Sequence, residues 1–311
     1  MDLRVAHASE LPALVQYADR PEHNAGTAAY LADLLSQKCT RPEWCLVAED
    51  GDGRVGAATA LWTLPGSDVP RALVLLEVPW DEPELATGQA LLAEAGKLAA
   101  SLGASELEHV IDSPAQAPQF QADPERRAEL LRLAGFSLAR DGRRFRRAAG
   151  GELPPQDDRL TWRSLAELGR EPFLALLAET LPTSADAHFA AGVARHGARG
   201  AAEEVLADME AFAYEPHWWE IGHAPDGTPA ALSLPARNPS VAVIGLVAVA
   251  PAHRGNGYAT AVVARGTKVL VEAGAQEIRG DCDRANTAMS KAFARAGYEN
   301  FADRQEFSRS L

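Results

Sequence analysis

A faint internal repeat runs through the chain, and a repeat restricts it to a doubled architecture. Pro42-Glu43-Trp44 precedes an apolar stretch, then Asp52-Gly53, then a second apolar stretch. The same landmarks return 174 residues on: Pro216-His217-Trp218, Trp219-Glu220-Ile221-Gly222, Asp226-Gly227 and Ala230-Ala231-Leu232. Val78-Pro79 then lines up with Ala250-Pro251, Gly103-Ala104 with Gly274-Ala275, Asp112 with Asp283 and Gly135-Phe136 with Gly297-Tyr298. The offset drifts from 174 to 171 and then to 162, so the first copy holds extra residues near Ser113 to Asp123. Two domains of one kind are expected. The polar run Ala148 to Asp158, with two glycines and two prolines, reads as a linker. That gives residues 1–147 as the first domain, 148–158 as linker and 159–311 as the second, each of ordinary domain size.

The second half reads as alternating strands and helices. Leu160 to Arg163 is a short strand, and Glu171 to Leu181 and Asp186 to Phe212 are helical, the latter broken between Gly197 and Gly200. Trp218 to His223 and Ala230 to Pro235 make a hairpin about Asp226-Gly227. Val241 to Val249 is a nearly all-apolar, central strand. A helix follows over Tyr258 to Ala273, a strand over Glu277 to Cys282, a helix over Thr287 to Ala296 and a strand around Arg304 to Ser308. The fold class is α/β (α+β), with antiparallel strands first and a βαβ unit later.

Chemistry concentrates between the central strand and the helix after it. Val247-Ala-Val-Ala-Pro-Ala-His-Arg-Gly-Asn-Gly-Tyr-Ala-Thr260 is a strand end, a proline stop and a glycine-bearing loop that opens a helix. Glycines let backbone approach an anion, and the first helical N–H groups point at it with the helix dipole behind them. Arg254 can add a charge-assisted hydrogen bond. A Walker loop needs Gly-Lys-Ser/Thr, which does not follow. A Rossmann fingerprint wants a third glycine where Thr260 stands, and it normally opens its domain. A nicotinamide-dinucleotide dehydrogenase therefore ranks third among the readings.

Arg254-x-x-Gly257-x-Ala259 after a Val-x-Pro strand end resembles the acetyl-CoA loop of the GNAT superfamily of N-acetyltransferases. Downstream, Asn286, the aromatic Phe293 seven residues on and Gly297-Tyr298 match that family's strand, Asn, helix and Gly-Phe/Tyr order. The resemblance covers roughly Leu160 to Leu311 and, through the repeat, more faintly the first half. It implies two tandem GNAT-like domains, each a mixed, mainly antiparallel central sheet flanked by helices, similar in layout to mycothiol synthase. It also implies site residues. Backbone N–H groups of Arg254, Gly255, Asn256, Gly257, Tyr258 and Ala259 would hold the pyrophosphate. The backbone of Leu246, Val247, Ala248 and Val249 would pair with the pantetheine arm as an added strand. Asn286 would hydrogen-bond the pantetheine, and Phe293 would pack near the thioester.

The implied reaction is attack of an amine on the acetyl-CoA thioester, which needs a proton acceptor for the amine and a donor for the oxyanion. Asp281 is the first candidate base. It stands five before Asn286, where the ribosomal-protein alanine N-acetyltransferases that this segment resembles carry a glutamate. Glu220, on the hairpin strand, is the second, while Asp283 reads as a cap of the next helix. Many family members carry Tyr where Phe293 stands, so the proton for the leaving thiolate has no assigned donor, and a non-catalytic acyl-CoA-binding protein is the alternative. In the first half the loop reads Val78-Pro-Trp-Asp-Glu-Pro-Glu84, with three carboxylates and no Arg-Gly-x-Gly. That domain is expected not to bind CoA in the usual way.

Composition narrows the partners. The chain has 30 Lys+Arg against 43 Asp+Glu, a formal charge of −13, which argues against nucleic acid and anionic membrane as partners. A small-molecule primary amine is the expected acceptor. Three cysteines without a CxxC point to neither a disulfide scaffold nor a zinc site, and no metal is expected. The N-terminal segment lacks an apolar signal core, and the longest apolar stretch, Val241 to Ala252, is too short to span a bilayer. A cytoplasmic protein is expected.

Overall fold

A computed structural model describes residues 2–7, 9–11, 14, 21–238 and 241–311. The chain divides into two compact units, Met1–Arg140 with Arg304–Leu311, and Asp141–Asp303. The polar run 148–158 thus lies inside the second unit, and the last strand of the chain contributes to the first.

Unit 1 contains β1 (Asp2–Val5), α1 (Pro21–Ser36), β2 (Cys45–Glu49), β3 (Val55–Trp62), β4 (Ala72–Glu77), α2 (Ala86–Ser101), β5 (Glu106–Ser113) and α3 (Pro124–Leu133). Strand β6 (Ser137–Ala148) begins in unit 1 and continues into unit 2. Unit 2 goes on with β7 (Thr161–Ser164), α4 (Leu165–Leu168), α5 (Arg170–Thr180), α6 (Ala187–Glu210), β8 (Glu220–His223), β9 (Pro229–Arg237), β10 (Ala242–Val249), α7 (Tyr258–Glu272), β11 (Glu277–Asp283) and α8 (Thr287–Arg295). Strand β12 (Glu299–Ser310) starts in unit 2 and ends in unit 1.

Within unit 1 the sheet runs β1-β2-β3-β4-β5, with the C-terminal stretch of β12 beside β5. Within unit 2 it runs β6-β11-β10-β9-β8-β7. Strands β1-β2-β3-β4 in unit 1 and β6-β11 and β10-β9-β8-β7 in unit 2 pair antiparallel, and each unit has a parallel pair, β4 with β5 and β10 with β11. The repeat read in the sequence is therefore a repeat of topology: hairpin, strand, helix, parallel strand, helix. It extends to an irregularity. The β3–β4 register slips so that Val74 is the extra residue, and the β9–β10 register slips at Gly245. These two bulges stand 171 residues apart, the offset of Gly103-Ala104 from Gly274-Ala275.

Local chemistry fixes the element ends in unit 2. The Met289 N–H donates to Asn286 Oδ1 at 3.1 Å, capping α8, and Gly297 ends it at φ +82°. Asp186 caps α6 by accepting from the His188 N–H at 3.0 Å, and Gly197, at φ +69°, kinks that helix where the sequence placed a break. The α5–α6 side of the sheet is sealed around Trp219, whose indole donates to the Pro235 carbonyl at 3.1 Å and whose ring stacks on Tyr214. The other side packs Ile244, Val263, Ile278 and Phe293 between the sheet and α7 and α8. Packed by side chains on both faces, though only partly buried over Val247 to Val249, β10 can be almost wholly apolar. Among the described residues no helix is long and apolar enough to cross a membrane.

Candidate functional site

The ladder between β10 and β11 consists of Ala242 with Ile278 and Val243 with Arg279, and there it ends. Beyond Val243, β10 keeps β9 on one edge, with Leu246 to Val249 paired to Leu234 to Ala231. Its other edge opens on a cleft of about 550 Å³. The bulge at Gly245 accompanies this divergence, since an extra residue bends and twists its strand. A side chain there is crowded: a Cβ would stand 2.3 Å from the flexible end of Met209, at Cε, and 3.0 Å from the Leu234 carbonyl oxygen.

At the end of β10, Pro251–His253 makes one 3-10 turn. Gly255 and Gly257 follow, both at φ +83°, a conformation that L side chains resist. Helix α7 then begins, and no side chain caps it, so its first N–H groups have no side-chain acceptor. The charged side chains lining the cleft are Arg254, Lys291 and Arg295, all cations in a chain of net charge −13. Arg254 is partly engaged: its Nε donates to the Val249 carbonyl at 3.3 Å, and its Nη atoms donate to the Thr183 carbonyl at 3.1 Å and hydroxyl at 2.7 Å. His253 faces the Thr228 hydroxyl at 3.0 Å, which in turn donates to Asp226 at 2.6 Å and helps hold that carboxyl below its usual pKa.

Of the residues singled out from sequence, the cleft brings together Leu246, Val247, Ala248, Val249, Arg254, Gly255, Gly257, Tyr258, Ala259 and Asn286. Asn256 is exposed on the same loop, with its side-chain amide donating to the His253 carbonyl at 3.1 Å. Phe293 lies in the core, 1% exposed, stacked on Phe145 at 4.8 Å and edge-on to Tyr298. Gly280 makes the room, because a Cβ there would stand 2.6 Å from the Phe293 ring. Glu220 is buried and bound through both oxygens to Arg265 of α7 at 2.6 Å, which holds that guanidinium above its usual pKa. Asp281 is exposed on β11, and strand alternation sets it on the face opposite Ile278 and Cys282, which pack toward α8. Asp283, expected to cap the next helix, does not: that cap is Asn286, and Asp283 instead accepts from the Ala285 N–H at 2.8 Å within the turn before α8. Among the described residues no group of three or more His, Cys, Asp or Glu side chains is placed to hold a metal ion.

The sequence reading missed the far wall of the cleft, Thr180 to Phe189, and the cations Lys291 and Arg295. The spacing of those two, four apart on α8 after Asn286, was the available signal.

The matching place in unit 1 is filled by its own side chains. Arg127 of α3 is fully buried. It donates to the Leu76 carbonyl of β4, to Glu77 at 2.7 Å and to the Ala122 carbonyl at 3.1 Å, and lies 4.4 Å over the Trp80 ring. At the start of α2 the Thr87 N–H donates to the Glu82 carboxylate at 3.1 Å. Arg126 donates to the loop carbonyls of Trp80 and Glu82 at 3.2 and 2.5 Å.

Residues 199–298 match the model of the acetyltransferase (GNAT) family. The second unit carries a GNAT acetyltransferase domain. No curated protein matches the chain in sequence. Among solved structures, a GCN5-related N-acetyltransferase from Sphaerobacter thermophilus is similar over 99% of this chain and 95% of its own, with a TM-score of 0.63 and 16% identity. A functionally unknown conserved protein from Staphylococcus epidermidis is similar over 81% of this chain and 90% of its own, with a TM-score of 0.53 and 12% identity. A tandem GNAT protein from the clavulanic acid biosynthesis pathway covers 97% of this chain and 93% of its own, at a TM-score of 0.47 and 17% identity. At these identities the likeness is one of fold, and it extends over both units. The GNAT domain makes the chain an acyltransferase that draws its acyl group from an acyl-CoA.

Proposed function

We propose that the GNAT domain binds acetyl-CoA and transfers its acetyl group to a primary amine of a small molecule. The observation that carries this reading is the free edge of β10 at Leu246 to Val249, continuous with the doubly left-handed glycine turn at the uncapped start of α7. An extended pantetheine arm can pair with such an edge as an added strand, and a pyrophosphate fits the turn. Arg254, Gly255, Asn256, Gly257, Tyr258 and Ala259 would hold the phosphates, with Lys291 and Arg295 adding charge. The Asn286 oxygen already accepts from Met289, so its amide nitrogen is the atom that would donate to a pantetheine carbonyl.

In the reaction the amine nitrogen bonds to the thioester carbonyl carbon and the C–S bond breaks. Backbone N–H groups near the Gly245 bulge, displaced from the regular ladder, would receive the developing oxyanion. Asp281 is the proposed proton acceptor for the amine, exposed on β11. Glu220 is the second candidate, and its tie to Arg265 ranks it lower. The departing thiolate takes its proton from water. Unit 1 is proposed to be a degenerate, CoA-free GNAT-like domain, because Glu82 and Arg127 occupy its helix start and strand edge. Three buried free cysteines suit a reducing cytoplasm.

The test is release of free CoA thiol from acetyl-CoA across a panel of small primary amines. Turnover with at least one amine is expected, with kcat reduced by a factor of roughly 10²–10⁴ in Asp281→Asn. Binding without turnover on any amine would sink the amine acceptor, and full activity in Asp281→Asn would remove that residue as the base.

A further inference from the structure

The phosphate loop depends on a residue just before β7 that neither the repeat nor the family match singles out. Arg159 is half-exposed, yet fixed from three sides. Asp157 accepts from its Nε at 2.8 Å and from its Nη2 at 2.5 Å. Its Nη2 also donates to the Asn256 carbonyl at 3.0 Å. Its guanidinium lies 5.1 Å over the Tyr258 ring. The segment that carries it is itself tied to α7, since the Gln156 amide donates to the Ala264 carbonyl at 3.2 Å.

In a trans peptide the C=O and N–H point in opposite directions. Holding the Asn256 carbonyl toward Arg159 therefore turns the Gly257 N–H away from it. That peptide lies between two left-handed glycines, where backbone freedom is greatest and an external hold has most to fix. We propose that Asp157 and Arg159 are positioning residues for acyl-CoA binding: Asp157 orients Arg159, and Arg159 sets the 256–257 peptide so that the Gly257 N–H meets the pyrophosphate. This rests on the reading of that loop as a CoA site. It is distinct from a charge effect, in which Arg159 would act only as one more cation near an anion.

The two roles separate on Asp157. Removing its charge leaves Arg159 more positive surroundings but no fixed orientation. Acetyl-CoA is titrated calorimetrically into the full chain, its Arg159→Ala and Asp157→Asn variants, and Arg159→Lys as the charge-keeping control. Positioning predicts that Arg159→Ala and Asp157→Asn both raise Kd, by roughly three- to tenfold for one exposed charge-assisted contact, and that Arg159→Lys fails to restore it. KM for acetyl-CoA rises with Kd while kcat at saturation holds. An unchanged or lowered Kd in Asp157→Asn, or full rescue by Arg159→Lys, would overturn positioning in favour of charge. Wild-type protein that binds no acetyl-CoA would overturn the CoA reading itself, a separate outcome from binding that the two variants leave unchanged.

Discussion

The Arg127 guanidinium donates to the carbonyl oxygen of Leu76, so a side chain of unit 1 occupies the edge of β4. By the repeat, Leu76 corresponds to Val247, whose strand edge opens on the cleft of the GNAT domain. One topology thus carries an open edge in one copy and a filled edge in the other. Replacing Arg127 by Met removes a fully buried charge and takes the counter-charge from Glu77, to which the Trp80 indole still donates at 3.0 Å. A stability loss of about 3–5 kcal/mol is expected, the range for breaking a buried ion pair. Urea unfolding reads the loss, and the acetyl-CoA stoichiometry stays the same. A second CoA site in Arg127→Met would show that this side chain alone keeps unit 1 empty.

His109 lies beside that plug. It is fully buried, its Nδ1 faces the Leu73 carbonyl at 2.9 Å, and its Nε2 stands 3.5 Å from the Gln121 amide nitrogen. Burial, and secondarily Arg127, pushes its pKa down to about 3. The unfolded chain has a histidine near 6.5, so between those values it binds a proton that the folded chain refuses. Stability from this group is complete above about pH 6.5 and falls as pH drops, by at most about 1.4 kcal/mol per unit. Urea midpoints at pH 7 and pH 5 should differ by less in His109→Gln than in the wild type. Equal differences would mean that another group takes the proton.

Glu220 and Arg265 form a bidentate pair with the carboxylate almost sealed from solvent. Glu220→Gln leaves a half-buried guanidinium without its counter-charge and should cost about 2–4 kcal/mol. Turnover at a temperature where the variant stays folded should remain within about tenfold of wild type, far from the 10²-fold or greater loss on removing a general base. A collapse of kcat with stability unchanged would make Glu220 the base instead of Asp281.

Gly245 sits under the end of Met209, which must shift to admit a methyl group. Gly245→Ala must displace the Met209 side chain and press on the Leu234 carbonyl, at a cost of about 1–3 kcal/mol. The bulge moves with it, so kcat should fall while acetyl-CoA affinity, set mainly at the loop, changes little. The double variant Gly245→Ala with Met209→Ala relieves the clash and should recover part of the stability. Wild-type kcat in Gly245→Ala would show that the bulge does not set the oxyanion site.

Periodicity and punctuation made much of the second half legible from sequence: the hairpin about Asp226-Gly227, the apolar central strand, the break at Gly197 and the helix ends at Gly274 and Gly297 follow from local rules. The cleft-lining loop was legible because glycine spacing encodes its backbone. Partners distant in sequence were not. Nothing near Glu220 announces Arg265, 45 residues away, and nothing in α3 marks Arg127 as the side chain that reaches β4. The basic run Arg140 to Arg147 lies on β6, where Arg140 pairs with Glu306 and Arg146 with Glu299, partners that no local pattern announces. Which strand closes which sheet depends on long-range pairing, so the placement of Arg304–Leu311 in the first unit left no local trace. The 148–158 run, read as a linker from its glycines and prolines, is held at its end by contacts that sequence does not announce, Gln156 to α7 and Asp157 to Arg159.

The most direct measurement is calorimetric titration of acetyl-CoA into the intact chain, with Gly257→Glu as control. A carboxylate at that left-handed position opposes the phosphates by charge and by volume. One saturable site per chain, lost in Gly257→Glu, is the expected result. Two sites would contradict the filled edge of unit 1, and no binding would contradict the reading of the cleft as an acetyl-CoA site.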